Sequence, residues 1–338
     1  MPEYTPPPRL SLAVRPTPLQ LLPRLSEQLG GPRLWVKRDD LTGSVLSGNK
    51  VRKLEFTLAQ AVAEGADTII TCGGLQSNHC RATALLCAQL GLACELLLRG
   101  EARPPFDGNL LLDHLAGATV STYPAGYYQK QLPELLASAA RAVCARGGKP
   151  FVIPTGASDG IGVWGYASAC AELREDCARH GIEPAHIVCA TGSGGTQAGL
   201  CAGVALHGLR AQVWGFAVCD DERYFQHKVR ADLRDWAGRY APPLDVEALP
   251  IQVIDDYIGP GYAQAGPEIF DTIKQVASSE GLVLDPVYTG KAFHGLLEEM
   301  RRGRFDGADD VVFVHTGGVF GLFPQRSQFR FQVAADSE

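Results

Sequence analysis

The sequence predicts an α/β protein with parallel sheets and helices on both faces. Short apolar runs alternate with longer segments of helical periodicity along most of the chain. Glycine- or hydroxyl-rich corners follow several of those runs, where parallel strands turn into helices. At 338 residues and 46% hydrophobic, the chain can bury a sizeable core in two domains, or in one large domain with an inserted lobe.

In chain order, the candidate strands are "LWVKR" (34–38), "DTIITC" (67–72), "CELLLR" (94–99), "ATVSTY" (118–123), "FVIP" (151–154), "HIVCA" (186–190), "AQVWGFAV" (211–218) and "VVFVH" (311–315). Helical patterns fill 49–64, 77–90, 129–146, 160–180, 195–207, 266–280 and 290–302. There is no internal repeat, and no low-complexity segment beyond the Pro-rich first eight residues.

A net charge of −6 argues against a nucleic-acid or anionic-membrane partner. No apolar stretch reaches the roughly 18 residues that span a bilayer, and the opening "MPEYTPPPRL" lacks the apolar run of a signal peptide. A cytoplasmic protein is therefore expected. None of the ten cysteines forms a C-x-x-C pair, and most sit inside apolar segments. That pattern predicts buried, reduced thiols and no metal site or disulfide framework.

Four corners are rich in glycine or hydroxyls: "CGGLQSNH" (72–79), "PTGASDGIG" (154–162), "TGSGGTQAG" (191–199) and "HTGGVFG" (315–321). Single glycines are ordinary at such corners, but the 191–199 run is denser than a turn requires. Its small residues let backbone N–H groups approach an anion at the start of a helix, with Ser193 and Thr196 adding hydroxyls. No Gly-Lys-Ser/Thr follows, so it is not a Walker A loop. The third glycine of a dinucleotide fingerprint would fall at 197, which is Gln197. A small phosphate group fits better than a nucleotide, and a purely structural turn is the alternative.

"SGNKVRKLEF" (47–56) opens a helix near Asn49, yet its first turn carries Lys50, Arg52 and Lys53. The positive end of a helix dipole disfavours cations, by on the order of a few tenths of a kcal/mol each. The cost makes sense if Lys50 condenses with an aldehyde. Lys53, one turn on and on the same face, could then face a phosphate on that same molecule. A phosphate and a carbonyl condensing with lysine point to pyridoxal 5′-phosphate.

"LWVKRDDLTGSVLSGNKVRKLEF", "CGGLQSNHCRATA", "ATGSGGTQAGL", "LDPVYTGKAF" and "HTGG" occur in this order. Together they resemble the D-cysteine desulfhydrase and 1-aminocyclopropane-1-carboxylate (ACC) deaminase family of pyridoxal-phosphate enzymes, over about residues 10–325. The resemblance implies the fold type II architecture: two twisted sheet domains, with 1–46 and 160–338 forming the larger and 47–159 a smaller inserted one, usually as a homodimer. It also implies that Lys50 is the cofactor-binding lysine and that Lys53, Gly192, Ser193, Gly194, Gly195 and Thr196 form the phosphate site. Ser77 and Asn78 then face substrate and cofactor, and Tyr288 is the active-site tyrosine. His79 stands where ACC deaminases usually carry Gln.

Two positions discriminate within the family. ACC deaminases carry Glu after the tyrosine and Leu in the H-x-G-G turn, whereas this sequence has Thr289 and Thr316. A carboxylate near the pyridine nitrogen would keep it protonated and the ring a strong electron sink. A threonine hydroxyl supports a weaker sink, sufficient when the β-substituent leaves readily, as thiolate does. Thr316 is the first choice for the nitrogen partner, with Thr289 nearby. The expected reaction is α,β-elimination of D-cysteine to pyruvate, ammonia and hydrogen sulfide. Lys50 would act as base, Ser77 and Asn78 would hold the carboxylate, and Tyr288 would protonate the leaving group or stack on the substrate. ACC deaminase, L-cysteate sulfo-lyase, D-serine or β-chloroalanine eliminase and a non-enzymatic cofactor-binding regulator are the alternatives. His79, a candidate substrate-binding residue, and Arg81 read equally well as site residues and as mere helix-surface or intersubunit residues. His315 reads as a hydrogen-bonded core residue, and Trp164 and Tyr166 as packing aromatics. "KRDD" (37–40) is expected to order the loop before Lys50.

Overall fold

The short apolar runs gather into two sheets in the computed structural model, which describes residues 6–331. The first five of the Pro-rich opening residues, and the chain beyond 331, lie outside the described residues. Six strands form the larger sheet: β1 (Leu19–Leu21), β2 (Arg33–Lys37), β7 (His186–Thr191), β8 (Gln212–Ala217), β9 (Gln252–Ile254) and β10 (Asp310–Val314), in the order β1-β2-β10-β7-β8-β9. Only β1 runs antiparallel to its neighbour. The chain leaves after β2 to build a parallel sheet from β3 (Thr68–Gly74), β4 (Ala93–Arg99), β5 (Thr119–Tyr123) and β6 (Pro150–Val152), ordered β5-β4-β3-β6, and then returns.

Both faces of the larger sheet are covered, which is why its strands read as near-continuous apolar runs. Val36, Val188, Phe216 and Phe313 pack into one core, while Trp35, Ile187, Cys189 and Val312 pack into the opposite one. Adjacent residues on one strand thus alternate between two cores. The smaller sheet has its own core, where Ile69, Leu96 and Leu98 meet Val51, Leu54 and Leu58 of helix α2 (Asn49–Ala63).

The eight anticipated strands and seven helices are present, with ends moved by up to four residues. β1 and β9 were not anticipated, nor were helices α1 (Pro23–Leu29), α4 (Gly108–Leu115) and α8 (Glu222–Tyr240). The two strands are three residues each, too short for alternation to register. Helix α8 is highly charged, and its buried stripe of Phe225, Val229, Leu233 and Trp236 is hidden among Arg, Lys and Asp. Among the described residues the cysteines are free: eight are buried, Cys144 is exposed and Cys219 is half-buried.

The three cations of α2 go three separate ways. Arg52 is buried, and donates from Nε and Nη2 to the two oxygens of Asp39 at 2.8 and 2.7 Å and from Nη1 to Glu172 Oε2 at 3.0 Å. Tyr166 and Thr17 donate to the same Asp39 carboxylate, and Lys37 bridges Glu172 and Asp176. "KRDD" therefore anchors the α2 approach to helix α6 (Val163–His180), with Trp164 stacked on Phe56 and edge-on to Trp236. Burial alone would raise the Asp39 carboxyl, but the Arg52 charge and hydrogen bonds outweigh it and hold the group ionised.

Removing one partner of such a pair leaves an uncompensated buried charge, so Arg52→Gln should cost about 3–5 kcal/mol, read as a lower urea midpoint. The pH dependence follows from Glu172. Burial pushes its carboxyl up, yet hydrogen bonds and charge from Arg52 and Lys37 bring it from 4.5 down to about 2. A group lowered on folding stabilises above its unfolded value and loses that contribution as pH falls toward its folded one. Between about pH 4.5 and 2 the stability of Glu172→Gln should therefore decline less steeply than that of the parent protein.

Candidate active site

Lys50 owes its place to the glycine before it. Gly48 has φ +113°, and a Cβ there would stand 2.6 Å from the Thr316 carbonyl oxygen. That oxygen accepts the Asn49 amide at 3.2 Å, so the first turn of α2 is tied to the loop leaving β10. The Lys50 side chain lines both an inner cleft and a larger cavity of about 360 Å³, which share Gly192, Ser193 and Tyr288. Burial lowers its ammonium from 10.5 to about 8, so it gives up its proton to become the nucleophilic amine far more readily than an ordinary lysine.

The glycine run closes one end of the inner cleft, at the start of helix α7 (Gly195–His207). Gly194 has φ +89°, a turn that favours glycine. Ser158 holds the run together. Its hydroxyl donates to Ser193 Oγ at 2.8 Å and accepts from the Gly195 amide and from Lys53 Nζ, both at 3.2 Å. Lys53 also donates to the Gly156 carbonyl, and Asn49 Nδ2 donates to Thr196 Oγ1 at 2.8 Å. Lys228, on α8, packs over Gly194 and pairs with Asp232. Burial first, then Lys50, pushes the Lys53 ammonium well below its usual range. Three lysines and a helix N-terminus thus converge where Asp232 is the nearest compensating acid, a balance that an anion would correct.

A second helix start, α3 (Asn78–Leu90), faces Lys50 from the smaller sheet. Ser77 caps it, accepting from the Cys80 amide. Asn78 accepts from Asn109, which is held in turn by Arg81 at 3.0 Å. Arg81 is buried, donates to the Leu46 and Ser47 carbonyls ahead of Lys50, and lies over the Phe320 ring. His79 is buried too, so both residues are interior supports and not surface residues of the subunit. Thr71 donates to the Ile153 carbonyl and therefore accepts from His79 Nε2–H, at 2.8 Å. His79 Nδ1 is left as a bare acceptor, without a partner among the described residues. Burial, then the charge of Lys50 and Lys53, keeps this imidazole neutral.

Tyr288 lies opposite, its ring against Gly192, where a Cβ would come within 2.8 Å of it. Its hydroxyl meets that of Tyr262 at 2.6 Å. Burial and Tyr262 push the Tyr288 phenol far above its usual value, so it stays a proton donor. Thr316 lines the inner cleft. Thr289 does not join it: its hydroxyl donates to Asp285 Oδ1 at 2.7 Å and accepts the Asp285 amide. A role for Thr289 at the cofactor nitrogen is therefore set aside, because its hydroxyl is spent closing the first turn of α10 (Thr289–Arg301). His315 donates to the Val283 carbonyl and accepts the Gly317 amide, as a core residue.

Ser158, Lys228, Tyr262 and Arg99 were not singled out from sequence. Ser158 lies within a corner already marked as glycine- and hydroxyl-rich. The other three carry no local signal and reach the cavity only through topology.

Residues 10–317 match the model of the family described as pyridoxal-phosphate dependent enzyme. A putative ACC deaminase of Thermotoga maritima is 43% identical, with 94% of this chain and 98% of that protein covered. The D-cysteine desulfhydrase of Klebsiella pneumoniae is 41% identical over 94% and 95%. A bifunctional D-cysteine desulfhydrase/ACC deaminase of Arabidopsis thaliana is 43% identical over 94% and 80%. Among solved structures, an ACC deaminase homologue superposes with a TM-score of 0.85 at 35% identity, over 95% of both chains. The processed form of threonine deaminase isoform 2 from Solanum lycopersicum, at 17% identity and TM-score 0.63 over 91% and 80%, shares the fold.

The chain's residues fit pyridoxal phosphate: Lys50 for the aldehyde, and the surplus of positive charge around Gly194 for the phosphate. Gly156 has φ +68°, and a Cβ there would lie 2.5 Å from Ser193 Oγ and 3.2 Å from Lys50 Nζ. Gly156→Ala should therefore weaken cofactor binding by about tenfold or more, counting backbone strain and the displaced serine. Absorbance titration of the cofactor-free protein checks this, and unchanged affinity would contradict the cradle.

Proposed function

The chain belongs to the family of pyridoxal-phosphate-dependent enzymes, and from that premise we propose that it catalyses α,β-elimination of D-cysteine to pyruvate, ammonia and hydrogen sulfide. The observation that carries this reading is the absence of a carboxylate lining the inner cleft among the described residues, where Thr316 stands. Asp285, the nearest acid to that turn, spends its oxygens on the Val287, Tyr288 and Thr289 amides and the Thr289 hydroxyl. A ring facing a hydroxyl is a weaker electron sink than one facing a carboxylate, and it suits a good leaving group better than an unactivated cyclopropane.

When bound, pyridoxal phosphate supplies an aldehyde for the substrate amine and an aromatic system that draws electrons from Cα. The protein supplies the rest. Ser77 and the free amides at the start of α3 are placed for the α-carboxylate. Lys50, lowered to about 8, takes the Cα proton as base. The Tyr288 hydroxyl, kept protonated by burial and held by Tyr262, faces the same cavity and donates a hydrogen bond to the departing sulfur.

ACC deamination is the second reading, favoured by relatives that bear that name. Residence in the cytoplasm, a homodimer, and division into 1–46 with 160–338 and 47–159 belong to the same proposal. The resemblance supports the last two, and the free, mostly buried thiols among the described residues support the first.

Purified holoenzyme should release sulfide and pyruvate from D-cysteine, and should form no 2-oxobutyrate from ACC. The reverse result transfers the assignment to the second reading. Tyr288→Phe should lower kcat by about 10²–10³ with a smaller effect on KM, as expected for a lost hydrogen-bond donor to developing charge. Normal turnover by that variant would remove the tyrosine from the mechanism.

A further inference from the structure

Arg99 ends β4, and its Cα pairs in the ladder with Gly74, which opens the loop to Ser77. Its side chain lines the 360 Å³ cavity that also holds Lys50, Ser77 and Tyr288. Its guanidinium lies 5.1 Å over the Tyr262 ring and, among the described residues, makes no hydrogen bond or ion pair. The other guanidiniums around the site are engaged, Arg52 by Asp39 and Arg81 by backbone carbonyls and Asn109, and Lys228 is paired with Asp232. The one acid lining this cavity among the described residues is Asp220, and it does not pair with Arg99. An arginine presents five N–H donors in a planar fork shaped for carboxylate or sulfur oxyanions. One face of this fork is covered by an aromatic ring, so an anion there meets less competition from water.

The α-carboxylate of an amino acid already has Ser77 and the start of α3. We propose that Arg99 is a specificity residue that receives a second anionic group, on the β-carbon of the substrate. The cavity would thus prefer amino acids whose β-substituent is anionic, such as a carboxylate, sulfinate, sulfonate or the thiolate form of cysteine, over neutral isosteres. The inference rests on the cavity being the substrate site, as proposed above, but not on which substituent departs.

Binding to the holoenzyme separates the two. Aspartate and asparagine differ by one charge and neither carries a ready leaving group, so calorimetry reads recognition without turnover. Aspartate of one hand should bind at least about tenfold tighter than the matching asparagine, the scale of one charge-assisted contact. In Arg99→Gln that ratio should fall to near one, and in Arg99→Lys to an intermediate value because the planar fork is lost. If the parent protein shows no preference, or the preference survives in Arg99→Gln, the proposal is overturned. Should the glutamine variant not fold, an undiminished ratio in Arg99→Lys overturns it equally. Lack of pyruvate from D-cysteine would remove the proposed reaction while leaving this ratio as measured.

Discussion

Three cations crowd the first turn of α2 against its dipole, and much of the molecule is arranged to accommodate them. Arg52 turns into a closed cluster with Asp39, Glu172 and Tyr166, fixing the helix to α6. Lys53 passes behind the glycine run and is held by Ser158 and a carbonyl. Lys50 is left facing the cleft, desolvated and with its ammonium lowered. Each fate needs the others. Without the arginine cluster the helix start would not be rigid, and without Lys53 the amine at 50 would lose one of the charges around it.

The cleft is assembled from corners that belong to different sheets. Gly48 and Thr316 meet where β10 leaves the larger sheet, while Ser77 and Asn78 come from the smaller one. Arg81 spans them, binding the Ser47 carbonyl on one side and Asn109 on the other, with Phe320 below. Its terminal nitrogens reach carbonyls and an amide and its plane lies on an aromatic face, while its Nε has no hydrogen-bond partner among the described residues and Asp113 is the acid that acts on its charge.

Much of this was legible in the sequence because it rests on local pattern. Strands buried on both faces read as apolar runs, and the helix start at Asn49 and the cradle at 192–196 are contiguous in the chain. What resisted reading depends on distance. Arg81 could be read as a surface residue because the carbonyls and the asparagine that hold it lie 28 to 35 positions away. Thr289 sits beside Tyr288 in sequence, yet a hydrogen bond to Asp285 turns it away. Tyr262 comes from a loop with little periodicity, and meets Tyr288 only because the loop folds over the cavity. α8 was hidden by its own charges, although every third or fourth residue is buried.

The scattered cysteines have a practical meaning. Cys80, Cys87 and Cys94 sit in the core of the smaller sheet, and Cys170, Cys177, Cys189 and Cys201 in one core of the larger. Burial raises most of these thiols, which leaves them unreactive while the fold is closed. Exposed Cys144 can be labelled in the native state. The chain thus carries its own reporters of breathing: the order in which alkylating reagents reach the two groups tells which half opens first.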